Sequence, residues 1–373
     1  MPEPFRLSQR VLDIRPSGIR KFFELGLSMT DPIDLSIGQA HFDVSDEVKA
    51  AAIAAIHEGR NRYTVTQGIP PLREALLDRY AKRLGDVSDY DVMVTSGVSG
   101  GLMLSFMALL NPGDEVLIPD PYFVMYKNLA TMVGAEAVTY DIYPEFRVDA
   151  AKIRSKITER TRLIVVNSPS NPTGAALTEA EARAVAGLAD ETGIPLISDE
   201  IYEDFIFEQR HFSPREFTRN CIVLSGASKS LGMPGWRIGW MLAPKSLSER
   251  MHTVQQFSFV CAPAPLQWAA LKGLAQDFSA HRQEYRAKRD LAYEGLREHY
   301  RTVKPAGAFY MFPYLPEGAD TGRFMEACIK QQLLVVPGSA CSDKGTNFRL
   351  CFAATDEKLK RGVDILNAVA KAL

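Results

Sequence analysis

Short apolar runs alternate with longer amphipathic stretches along most of the chain, which predicts an α/β fold with a mostly parallel sheet. Asp91–Thr95, Glu115–Pro119, Leu163–Val166, Pro195–Ser198 and Cys221–Leu224 read as strands. The last four are almost unbroken apolar runs, as strands buried on both faces are. Between and after them, helices are expected over Val98–Leu110, Tyr122–Val133, Thr178–Thr192, Ser246–Phe257 and Ala264–Ala275. Ser45 can cap a helix from about Asp46 to Glu58, with Asp46 and Glu47 in its first turn and Gly59 after its end. Pro71 suits the start of a helix that Gly85 closes.

After about Phe278 the texture changes. A charged helix, His281–Tyr300, leads into KPAGAFYMFPYL; a helix from about Thr321, a strand Asn347–Phe352 and a helix from Asp356 follow. This predicts a second, smaller α/β unit. The expected division is an N-terminal segment, 1–45, packing with the small unit, then a large domain, 46–277, and a small domain, 278–373. Arg10–Met29 precedes the regular alternation, and no internal repeat interrupts it.

Composition narrows the function. With 373 residues, 46% of them apolar, the chain can bury a large core without disulfides. A net charge of −2, with no Lys/Arg-rich run, speaks against a nucleic-acid or membrane surface. Five cysteines (Cys221, Cys261, Cys328, Cys341 and Cys351), an odd number without C-x-x-C spacing, predict free thiols in a reducing compartment. The opening lacks a signal peptide's apolar core, and the most apolar stretch, Leu102–Leu110, is too short to span a bilayer. The expectation is cytoplasmic. Six histidines show no metal-ligand spacing, so no catalytic metal is expected.

Five segments carry candidate chemistry. In SGASKSLGMPGWRIGW, Lys229 follows a strand among small residues, with Arg237 eight positions on. A lysine in a loop is ordinarily just solvated, but small flanks let a bulky group approach, and α/β folds bind ligands after their strands. VNSPSNPTG, also after a strand, reads either as a turn or as a presentation of the Asn171 amide. In ISDEIY, Asp199 either caps the next element or pairs with a protonated ring nitrogen, and Tyr202 is three residues on. VTSGVSGG between strand and helix is a glycine turn or an anion site, and it is no Walker motif. In NFRLC, Arg349 among strand-forming residues must snorkel or meet an anion, which a carboxylate suits bidentately.

Together, and in their order along the chain, these segments resemble the class I/II aminotransferases, fold type I enzymes that use pyridoxal phosphate (PLP). The resemblance runs from SIGQAHFD to the FRL strand. The opening GIRKFF…LSIGQ…RYTVTQGIPPLREAL looks most like the branch with aspartate, aromatic and alanine-type enzymes. It implies a PLP-dependent aminotransferase that works by a ping-pong route, with Lys229 as the Schiff-base lysine and proton shuttle. It also implies Asp199 on the pyridinium nitrogen, and Asn171 and Tyr202 on the phenolic oxygen. Gly97, Val98, Ser99, Ser228 and Arg237 would hold the phosphate, and Phe123 would stack on the ring. Arg349 would clamp the substrate α-carboxylate beside the Gly38 backbone. Tyr63 would reach the phosphate of a neighbouring subunit, so a homodimer sharing its active sites is implied.

Two positions depart from the family pattern. Gly226 stands where many relatives have a phosphate-binding serine, leaving Ser225 or, preferably, Ser228 for that contact; Ala40 stands where proline is common. The same residues also support a carbon–sulfur β-lyase, which eliminates a β-group instead of reprotonating. A DNA-binding PLP sensor and a cofactor-free homologue are disfavoured. For the substrate side chain, Arg20, Lys21 and Lys127 are candidate cations by type but read first as solvated surface charges, and Phe22, Tyr126, Phe257 and Phe309 are candidate apolar walls that read first as core.

Overall fold

A computed structural model describes residues 5–14, 26 and 28–373 of the chain. Among these, the main sheet has seven strands, in the order Tyr90–Ser96, Ile238–Pro244, Cys221–Gly226, Leu196–Asp199, Thr161–Asn167, Glu115–Asp120 and Glu136–Asp141. Ile238–Pro244 runs antiparallel to both its neighbours; every other pairing is parallel. The α/β class and the mostly parallel sheet expected from the alternation are present. The sequence reading did not name two of the strands. Glu136–Asp141 is partly exposed at the sheet edge and lacks an apolar run. Ile238–Pro244 hides behind the glycine- and tryptophan-rich motif that precedes it.

Apolar side chains on the two faces of this sheet form two separate cores, covered by helices. Local signals set the helix ends. Ser45 caps Asp46–His57 by accepting from the Val48 N–H. Thr178 and Glu181 form a reciprocal capping box on Glu179–Thr192. One helix is shorter than expected: Met125–Val133 rather than from Tyr122, because the chain first passes Phe123 along the sheet's edge.

A third core surrounds a small antiparallel sheet of Val336–Pro337, Phe348–Cys351 and Tyr310–Met311. Helices Ser279–Leu296 and Asp356–Ala372 pack on it. Ile33–Asp34 pairs in parallel with Leu333–Leu334, and Ile33 and Leu35 are buried in this third core. The segment after Leu35 then runs to the carboxyl edge of the main sheet, where the Gly38 carbonyl meets Lys229.

Candidate active site

Parallel pairing sets Asn167 beside Asp199, and Asp199 beside Leu224, so three strands deliver their carboxyl ends to one edge. Ligands bind at that edge in open α/β sheets. The last of these strands ends at Gly226 and passes into a one-turn helix, Ala227–Ser230. Lys229 therefore sits on a helical turn rather than in a loop. A cavity of about 230 Å³ opens here, and Tyr310 and Arg349 of the small sheet form part of its wall.

Lys229 is half-buried and its Nζ donates to the Gly38 carbonyl at 2.6 Å. Burial, reinforced by the cations Arg349 and Arg237, lowers its pKa to about 8. Asp199 accepts from the Tyr126 hydroxyl at 2.7 Å and from the Ile201 N–H at 3.3 Å. Burial outweighs these bonds and pushes its pKa up to about 6. Asn167 brackets two loops: its amide donates to the Asp199 carbonyl at 2.9 Å, and its oxygen accepts from the Asn171 N–H at 2.8 Å.

Arg349 is 1% exposed. Its Nη1 donates to Asn171 Oδ1 at 3.1 Å and its Nη2 to the Ser36 carbonyl at 2.5 Å, while Nε is buried without a partner. These acceptors are neutral. A buried guanidinium held only by neutral groups is stabilised when an anion arrives.

A further part of the lining gathers groups suited to an anion. Helix Gly97–Leu109 starts at the cavity with no side-chain cap on its first turn, and Val98 and Ser99 line the space. Gly97 has φ 66°, and a Cβ there would overlap the Arg237 guanidinium. Arg237 donates to the Pro234 and Ser96 carbonyls at 2.8 and 3.3 Å. Ser228 lines the cavity, whereas Ser225 donates to Glu203 at 2.8 Å beneath it. Glycine at 226 has a packing reason: a Cβ would lie 2.9 Å from the Gly239 Cα, so a serine would force the two strands apart. Phe123 lines the cavity edge-on to Tyr126, with ring centroids 5.7 Å apart. Tyr202 also lines the cavity, its hydroxyl 2.9 Å from that of Tyr310.

The structure thus gathers Gly38, Val98, Ser99, Phe123, Asn171, Asp199 and Tyr202 at one cavity, together with Ser228, Lys229, Arg237 and Arg349, and sets Gly97 against Arg237. Tyr63 is not among them; it is 84% exposed. Lys127 pairs with Asp343 at 2.7 Å, Phe309 packs into the third core, and Phe257 is exposed. Arg20, Lys21 and Phe22 lie outside the described residues. Sequence reasoning missed Asn167, Tyr310 and the bond from Tyr126 to Asp199. Asn167 ends a strand inside a motif already noted, which was an available signal. Tyr126 and Tyr310 sit in apolar runs, where nothing local marks a hydroxyl as functional.

The sequence profile described as aminotransferase class I and II matches residues 30–366. A probable aspartate aminotransferase of Methanocaldococcus jannaschii is 36% identical, covering 97% of this chain and 99% of the relative. An aromatic-amino-acid aminotransferase of Thermococcus litoralis is 34% identical, covering 98% of each. Among solved structures, the aspartate aminotransferase from Thermus thermophilus with maleate superposes with a TM-score of 0.93, at 34% identity, over 98% of this chain and all of the other.

Proposed function

The chain belongs to the class I and II aminotransferases, and on that premise we propose which of its residues perform the transfer. It is a PLP-dependent enzyme acting on amino acids and 2-oxo acids. The observation that carries the site is the convergence on one cavity of buried Asp199 and Arg349 with half-buried Lys229, three ionisable groups without an ion-pair partner among the described residues. That donor set fits the cofactor. Asp199 would meet a cationic ring nitrogen, the uncapped helix start at Gly97–Ser99 with Arg237 and Ser228 would take a phosphate, and Phe123 would cover the ring.

When bound, PLP supplies an aldehyde that condenses with amines and a ring that withdraws electrons from the substrate Cα. Lys229, with a pKa near 8, carries a substantial neutral fraction in mildly alkaline solution. Its Nζ would serve as the nucleophile toward that aldehyde and as the base that moves a proton at the substrate Cα. Gly38 O aims that amine. Asp199 holds positive charge on the ring, and Tyr126 and Ile201 fix the carboxylate's orientation. Asn171 and Tyr202 hold the phenolic oxygen. Arg349, already oriented by Asn171 and Ser36, binds the α-carboxylate common to all amino acids.

The wider reading is a homodimer of chains divided at 1–45, 46–277 and 278–373, in a reducing cytoplasm. Ile53, Ile56 and Val65 are exposed in the stretch around Tyr63, and Phe257, Phe259 and Val260 are exposed on a second loop, an apolar surface suited to another subunit. Pairing of Ile33–Asp34 with Leu333–Leu334 supports the division, and five free thiols support the compartment. No helix among the described residues is long and apolar enough to cross a membrane.

The test is the absorption spectrum of the PLP-loaded protein mixed with single amino acids and no oxo acid. Conversion to the amine form of the cofactor, with one equivalent of oxo acid released, is expected in the wild type and absent in Lys229→Ala. Pyruvate and ammonia with an unchanged spectrum would instead identify a lyase.

A further inference from the structure

The roles assigned above make no use of Tyr310. Its strand runs antiparallel to Phe348–Cys351, with Tyr310 opposite Cys351. Side chains alternate along a strand, so Arg349, two residues from Cys351, shares that face; its guanidinium carbon is 4.9 Å from the Tyr310 ring centroid. On the other side a Cβ at Gly38 would overlap the Tyr310 hydroxyl. Glycine there lets the phenol reach past the backbone whose carbonyl holds Lys229. The hydroxyl ends 2.9 Å from that of Tyr202, and the two rings meet edge to face at 5.6 Å.

Both phenols are buried, and burial holds both protonated. Two neutral hydroxyls in contact have two protons and only one shared bond. If Tyr202 donates to Tyr310, its own hydrogen is turned away from the cavity. If Tyr310 donates, the Tyr202 hydrogen is free to point inward. We propose that Tyr310 is a positioning residue that donates to Tyr202 and so aims the Tyr202 hydroxyl at an anionic oxygen of the bound cofactor. This rests on the aminotransferase reading of the site. A donated bond also polarises the acceptor hydroxyl and makes it a stronger donor in turn.

The consequence is measurable apart from turnover. A stronger donor draws charge from the cofactor oxygen, and the neighbouring lysine-bound nitrogen then holds its proton less tightly. Tyr310→Phe should raise the pH midpoint at which the lysine-bound chromophore titrates, by about 0.3–1 pH unit in keeping with the loss of one polarising bond. Tyr202→Phe should raise it further. Adding Y310F to Y202F should then change nothing, because no hydroxyl remains to be aimed. Any effect of Y310F on packing alone would persist in that double variant. In the single variant kcat should fall several-fold, with KM for the amino acid nearly unchanged. Melting of the cofactor-free protein checks that each variant folds. A Y310F chromophore that titrates at the wild-type pH, or equal shifts in the presence and absence of Tyr202, would overturn the role of Tyr310 while leaving the site standing. A wild-type protein that takes up no PLP would sink the site and this inference with it.

Discussion

Asp199 carries opposed demands of stability and function. Burial lifts its pKa from 3.8 to about 6. The folded protein therefore holds more protons here than the unfolded chain between about pH 4 and 6. By linkage, stability falls as pH rises through that window, and the cost is complete above pH 6, at about 3 kcal/mol for a shift of this size. Asp199→Asn removes the charge and can keep both contacts, its oxygen accepting from the Ile201 N–H and its NH2 donating to the Tyr126 hydroxyl, but the bonds weaken without the charge, which cancels part of the gain. We expect the cofactor-free variant to be more stable than the wild type by about 1–2 kcal/mol at pH 7 and no more stable at pH 4, as read by thermal melting. The loaded variant should transfer amino groups slower by orders of magnitude. An unchanged melting temperature at pH 7 would mean that another group already neutralises the carboxylate. Lys229 acts in the opposite direction. Its pKa, lowered from 10.5 to about 8, makes the buried charge costly below pH 8 and relieves that cost as pH rises toward 10.5.

Among the secondary-structure elements, the turn bearing Asp199 and Tyr202 is clamped from behind by the helix Pro70–Leu84. Arg83, in its last turn, donates to Glu200 at 2.6 Å and also pairs with Glu203; Arg79 reaches Asp204 at 2.8 Å. Glu200 is fully buried and also receives Ser198, Ser213 and His211. Burial alone would raise its pKa, but His211 and Arg83 outweigh it and hold the carboxyl at about 2. Its stabilisation is therefore present above the unfolded value of 4.5 and is lost as pH falls toward 2. Glu200→Gln should cost about 2–4 kcal/mol at pH 7, because Arg83 and His211 lose the charge they face. Denaturant titration should show the deficit shrinking as pH falls from 4.5 toward 2. A deficit independent of pH would show that the network stabilises through packing rather than charge.

For the whole molecule, the proposed shared site requires Tyr63 to serve a partner's cavity, since it does not line its own. It is 84% exposed, and Ile53, Ile56 and Val65, near it in sequence, are exposed as well, as side chains that a second subunit would cover. Ile56→Asp places a charge in that surface. Sedimentation should show the wild type as a dimer and Ile56→Asp shifted toward monomer, with PLP affinity reduced by at least tenfold although no described cavity residue has changed. Tyr63→Phe should keep the dimer and weaken PLP binding more modestly, by about 1 kcal/mol for one hydrogen bond to a charged phosphate. A wild-type monomer with full PLP affinity would refute the shared site.

Much of this protein was legible in its sequence because strand, turn and chemical residue follow one another within a few positions. Asn171, Asp199 and Lys229 each stand just after a recognisable apolar run, and parallel strands necessarily bring such positions to one edge. Arg349 stood out as a cation within an apolar strand. What periodicity cannot express is the partner across space. Gly38 holds Lys229 from 191 residues away, Tyr126 reaches Asp199 across 73, and Tyr310 meets Tyr202 across 108. Those contacts, and the burial that moves Lys229 to about 8 and Asp199 to about 6, exist only once elements distant in the chain are packed together. The sequence by itself determined which chemical groups stand at the strand ends, since local order encodes that. Tertiary structure alone decided how each is aimed and charged, because hydrogen bonding and desolvation depend on neighbours that the chain order does not make adjacent.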